Sequence, residues 1–108
     1  MTQENQEPEE NENLNGGNIY QLRLFVTGAS PNSTRAILNL KEICEEHLKE
    51  NYELEIIDVY QQPLIAQSEQ IIALPLLIKK APGVERRLIG DMSDKERVLR
   101  GLGVADVY

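Results

Sequence analysis

The chain carries almost none of the groups that small enzymes use for chemistry. Its 108 residues include one cysteine, one histidine and no tryptophan. A single thiol cannot run dithiol–disulfide exchange, which needs an attacking thiolate and a partner sulfur. A lone histidine, His47, offers neither a metal site nor a base oriented by a third group. No apolar run is long enough to span a bilayer, so no membrane role is expected. The N-terminus lacks the basic-then-apolar order of a secretory leader, and the expected location is the cytoplasm, without disulfides. Glycine-rich phosphate loops are missing, since Gly16-Gly17 precedes the first strand pattern instead of following it. Asp58, Asp91 and Asp94 are too scattered to argue for a metal site, and no cofactor is expected.

Charge is uneven. The formal net charge is −7, and Glu4, Glu7, Glu9, Glu10 and Glu12 contribute five of those charges with no base among residues 1–18. The remainder is therefore close to balanced, at −2. Nucleic acid is not an expected partner, because phosphate neutralisation needs a basic surface. Residues 1–18 hold Glu, Asn and Gln with little to bury, so they read as a disordered acidic tail, solubilising or regulatory. The domain is expected over 19–104, with 105–108 as a short C-terminal extension.

Tyr20, Leu22, Leu24 and Val26 alternate with Gln21, Arg23, Phe25 and Thr27, a period of two that predicts a strand over 19–27. Phe25 on the more polar side points to burial on both faces. Ser30 offers an N-cap and Pro31 fits the first helical position. The helix is expected to reach about Glu50, with Ile37, Leu40, Cys44 and Leu48 on one buried face. Cys44 there reads as a packed small hydrophobe. Residues 52–60 predict a second strand, and strand–helix–strand of this length predicts a parallel pair.

Pro63 opens a short helix through Ile72, with Leu64, Ile65, Ser68, Ile71 and Ile72 as its apolar side. Pro75 stands at the entry to a third strand, over 76–78, where a cis peptide is admissible but a strand-start proline is the plain reading. Ala81-Pro82-Gly83 marks a turn, and 85–89 a fourth strand completing a hairpin. Ser93-Asp94-Lys95-Glu96 predicts a capping box with Ser93 as the cap, followed by a helix burying Val98, Leu99 and Leu102. Gly101 and Gly103 weaken its end, a helical glycine costing about 1 kcal/mol relative to alanine. The order is βαβαββα, an α/β arrangement.

Ser30-Pro31-Asn32-Ser33 is a poor nucleophile site. His47 lies on the order of 20 Å further along the helix at 1.5 Å per residue, so capping is the better account. Arg86-Arg87 reads either as a contact for an acidic partner or as solvated edge charge that discourages aggregation. Arg35, a cation in the first helical turn, opposes the helix dipole, which favours a partner contact.

The strand running into Ser30-Pro31-Asn32-Ser33 resembles a thioredoxin-type domain at the place where Cys-x-x-Cys would stand. More specifically, residues 20–28 with Ser30-Pro31-Asn32-Ser33 resemble the KaiB family. Ile56-Ile57-Asp58-Val59, Gln62-Pro63, Ile71-Ile72-Ala73-Leu74-Pro75, residues 86–93 and Val98-Leu99-Arg100-Gly101-Leu102 carry the same resemblance, over about 19–104. It implies a non-enzymatic clock protein that binds the N-terminal ATPase ring of a KaiC-family partner. It also implies dealings with KaiA or with a histidine kinase, and fold switching between a commonly tetrameric ground state and a thioredoxin-like monomer. Residues 62–104 hold the conformationally ambiguous pieces, Pro63, Pro75, Pro82, Gly101 and Gly103. The basic positions Arg35, Arg86 and Arg87 match the family. Glu55 stands where clock members tend to carry lysine, Gln70 replaces another common basic residue, and Gly103 replaces a common acid. Only Pro82 remains of the hairpin prolines, and the acidic stretch stands on the N-terminal side. These departures disfavour KaiA-type and kinase-type contacts more than a KaiC-type contact. The implied homo-oligomer is a dimer or tetramer. The alternative is a thioredoxin-like sensor module for a histidine kinase or stress signalling, independent of KaiC.

Overall fold

The computed structural model describes residues 19–71 and 73–104. The acidic tail over 1–18, Ile72 and the extension over 105–108 lie outside the described residues. The elements follow the expected order: β1 (Tyr20–Val26), α1 (Pro31–Ile43), a π-helical turn (Cys44–Leu48), β2 (Tyr52–Asp58), α2 (Pro63–Ser68), β3 (Leu76–Ala81), β4 (Arg86–Ile89) and α3 (Lys95–Leu102).

Four strands form one sheet in the order β2-β1-β3-β4. β1 and β2 are parallel, in register from Tyr20 with Tyr52 to Val26 with Asp58. β3 runs antiparallel to β1, and β4 antiparallel to β3. Alternation along β1 sends Leu22, Leu24 and Val26 to one face, where they pack with Ala36, Leu40 and Ile43 of α1 and Val98 and Leu102 of α3. Phe25 goes to the other face with Ile57, Leu76 and Ile78, under Ile65, Ile71 and Leu74. The burial of β1 on both faces is thus met, and the sheet lies between two helical layers.

The ends of elements depart from expectation for local reasons. α1 stops earlier than Glu50: the chain widens into a π turn closed by the Lys49 amide on the Cys44 carbonyl at 2.8 Å, and Lys49 reverses direction at φ 54°. α2 ends at Ser68, and Leu64 faces solvent at 78 % exposure instead of joining the apolar side. The cap of α3 is Asp94, not Ser93. Its carboxylate accepts from the Arg97 amide at 3.2 Å, while the Ser93 amide is already donating to Asp91 Oδ1 at 3.1 Å. Leu74–Pro75 and Ala81–Pro82 are both cis.

Gly101 has a packing reason that propensity does not show. A Cβ there would lie 2.5 Å from Leu88 Cδ1, so any larger residue would force the Leu88 side chain aside where α3 rests on β4. Gly103 ends the helix at φ 77°, its amide donating to the Arg100 carbonyl and that of Val104 to Leu99.

Candidate partner-binding site

The junction between β1 and α1 holds hydroxyls. Ser33 is fully buried, and its Oγ accepts from the Thr27 amide at 3.0 Å and from Ser30 Oγ at 2.8 Å. Ser30 Oγ in turn accepts from the Ser33 amide at 3.2 Å, which caps α1. Each oxygen is occupied in tying the strand to the helix, and no base stands among these partners. His47 is at the far end of the helical stretch, beside Glu46. Cys44 is buried in the core, and desolvation followed by the charge of Glu45 pushes its thiol up to about 12. It is a packed hydrophobe, as its helical position predicted.

The sheet face under α2 carries a charge network. Row by row, Glu55 of β2 pairs with Arg23 of β1, Arg23 with Ile78 of β3, and Ile78 with Arg87 of β4, so these side chains share one face. Arg23 Nε meets Glu55 Oε1 at 3.1 Å, and its Nη1 donates to Glu69 Oε2 at 3.1 Å. Glu69 is the hub: Lys80 Nζ approaches it to 2.8 Å, and Arg87 Nη2 donates to its backbone carbonyl at 2.8 Å. The Glu69 side chain is only 13 % exposed, and the hydrogen bond from Lys80, with the charges of Lys80, Arg23 and Arg87, holds its carboxyl below the usual range despite burial. A cleft of about 480 Å³ opens beside the network between Glu53, Glu55, Arg23 and Lys80.

The other side of the molecule holds Arg35. Its Nε donates to Asp91 Oδ2 at 3.2 Å and its Nη2 to Asn32 Oδ1. Hydrogen bonds from Ser93, then the one from Arg35, keep the Asp91 carboxyl low. Arg86 lies across the sheet from Arg87: it pairs with Lys79, which pairs with Leu22, on the α1/α3 face. Lys79 is buried, its Nζ donating to the Pro82 carbonyl at 2.6 Å, and burial, then Arg86, lowers its pKa.

The five expected contact residues therefore fall in three places. Glu55 and Arg87 share the Glu69 network. Gln70 adjoins it, lining an apolar cleft of about 370 Å³ with Val59, Ile71 and Leu74. Arg35 and Arg86 are elsewhere. Glu69 escaped sequence reading, although a signal exists: an acid at the C-terminal end of a helix opposes the dipole and calls for nearby cations. The mismatch at Arg35 is repaired in the same way, by Asp91.

A mixed sheet between helical layers, with hydroxyls at the strand-to-helix junction, defines a thioredoxin-like domain without a thiol pair. Among solved structures, the N-terminal domain of Synechococcus elongatus SasA matches with a TM-score of 0.65 at 24 % identity, covering 84 % of this chain and 90 % of that one. Mitochondrial thioredoxin 3 from Saccharomyces cerevisiae, in its oxidized form, also matches at 0.65, with 16 % identity over 80 % of this chain and 78 % of that one. Both likenesses concern the fold alone. The KaiB domain model matches residues 23–104, and the chain belongs to the KaiB family. A relative from Prochlorococcus marinus, the circadian clock oscillator protein KaiB, is 51 % identical over 83 residues, 77 % of this chain and 78 % of that protein. The family is one of circadian clock proteins. Among the described residues, no helix is long and apolar enough to cross a membrane.

Proposed function

We propose that this chain is a non-enzymatic, cytoplasmic adaptor that docks on the N-terminal ATPase ring of a KaiC-family protein and modulates clock timing or related signalling. The supporting observation is a KaiB domain over 23–104, built on a thioredoxin-like sheet whose thiol position is filled by mutually bonded hydroxyls. Binding is then the role left to the surface, and Arg35, Glu55, Gln70, Arg86 and Arg87 are the proposed contacts. Their separation suits a partner that wraps an edge of the sheet better than one that fills a single pocket.

Glu55 sets selectivity in this reading. It offers a carboxylate where a lysine would offer a cation, and such a reversal repels an acidic partner surface. Contacts of the KaiA type or with a histidine kinase are therefore secondary. The thioredoxin-like form is taken as the KaiC-binding one. A second, oligomeric fold, dimer or tetramer, is proposed for residues 62–104, with Pro63, Pro75, Pro82, Gly101 and Gly103 as the positions where the two forms diverge.

Titration of the chain into its host's KaiC homologue, by calorimetry with ATP and with ADP, tests the adaptor role. Expected are nucleotide-dependent binding and a loss of about tenfold, roughly 1.4 kcal/mol, on Arg86→Glu. Failure to bind in either nucleotide, with binding to a histidine kinase retained, favours the KaiC-independent sensor module.

A further inference from the structure

α2 is too short to hold its own place. A six-residue helix is far below the length at which isolated helices persist in water. Its packing is slight as well. Among its described residues none is buried, Leu64 faces solvent, and Ile65 alone joins the cluster of Phe25, Ile57, Leu76 and Ile78 beneath it. Residues Pro63–Ser68 include no charged side chain that could pair with the sheet. The helix joins its neighbours through two bends, Gln62 at φ −133° and ψ 63°, and Gln70 at φ 58°.

The strong tie comes one residue later. Glu69 is the C-cap of α2, and its nearly buried carboxylate enters a socket of three cations, each from a different strand. Arg23 of β1 donates to it at 3.1 Å and Lys80 of β3 approaches to 2.8 Å. Arg87 of β4 reaches a carboxylate oxygen at 3.5 Å and the Glu69 backbone carbonyl at 2.8 Å. A charge in such a place is firmly held by its partners, and removing it leaves the opposite charges uncompensated. The other acids around the socket belong to the sheet and its turns. Glu55 of β2 pairs with Arg23, Glu85 with Lys80 and Arg87, Glu53 lines the cleft beside them, and Asp58 accepts from the Tyr60 amide.

We propose that Glu69 is an ionic latch: its carboxylate keeps α2 down on the sheet, and neutralising it by acid frees residues 63–71 to lift as a unit while the four strands, α1 and α3 stay folded. Lifting uncovers the apolar face of Phe25, Ile57, Leu76 and Ile78. It also displaces Gln70 and releases Arg87 from Glu69, two of the proposed contact residues, but the latch itself does not rest on the adaptor reading.

Amide hydrogen exchange on the full chain, followed residue by residue by NMR and corrected for intrinsic rates, tests it. The Ala66, Glu69 and Ile71 amides report on α2, since they donate to the Gln62, Ile65 and Ala66 carbonyls. Amides of β1 and α1 report on the rest of the fold. In the native chain, protection of the first set is expected to be steady near neutrality and to fall by about tenfold or more as pH drops to about 3, below the ordinary glutamate value of about 4.3, while the second set is unchanged. Glu69→Gln is expected to show the lowered protection already at neutral pH and to lose the pH dependence. Lys80→Gln keeps the carboxylate but removes one cation of the socket, and is expected to lower protection of α2 by a smaller factor; it carries the test with the native titration if Glu69→Gln does not fold. Equal loss over both sets is ordinary unfolding and overturns the latch. So does protection of α2 that Glu69→Gln leaves unmoved, or a pH dependence that survives it, which assigns the hold to Glu55, Glu85 or Asp58.

Discussion

Glu69 shows how one side chain ties distant parts of this sequence together. It sits at the end of α2 yet bonds Arg23, 46 residues away, and Lys80, 11 residues away. Replacing it with glutamine leaves three cations around a neutral amide, and the expected loss is about 1–3 kcal/mol, read from denaturant melts. The pH dependence has a definite sign. The folded carboxyl is held below its ordinary value, so its contribution is full above the unfolded pKa of about 4.3 and fades as pH falls through the folded value. The stability gap between the native chain and Glu69→Gln is therefore expected to be constant near neutrality and to close under acid. A gap that widens toward low pH contradicts the hub. Little along the chain points to this residue, because ion pairing across a sheet is non-local and only the dipole mismatch at a helix end hints at it. The same holds for Arg35, whose partner Asp91 lies 56 residues on.

At the scale of elements, local chemistry carried the reading far. The alternation in β1, the Ser30-Pro31 start of α1 and the turn at Pro82-Gly83 all fall where the structure has them. What was hidden are choices settled by contacts elsewhere. The cap of α3 falls on Asp94, whose carboxylate takes the Arg97 amide, while the Ser93 amide donates to Asp91. The faces of Arg86 and Arg87 were implicit in strand alternation, yet only the register shows that they serve opposite layers. Gly101 looked like a weakness and is a requirement of packing. Alanine there gains up to about 1 kcal/mol of helix propensity but forces Leu88 aside, and a net loss of about 1–3 kcal/mol is expected. In a Leu88→Ala background the same substitution is expected to cost much less, and a double-mutant cycle measures the coupling. Equal cost in both backgrounds contradicts close packing of α3 on β4.

The whole molecule is a nearly balanced domain joined to a strongly acidic segment, with its thiol buried and its junction hydroxyls committed to structure. The binding role proposed for that surface takes its class of partner from membership of the KaiB family. Native mass spectrometry of the chain with its host's KaiC homologue, in ATP and in ADP, tests the adaptor role most directly. Expected is a ring complex that depends on the nucleotide, carrying up to one copy of this chain per ring subunit. A ring that stays bare in both nucleotides contradicts it.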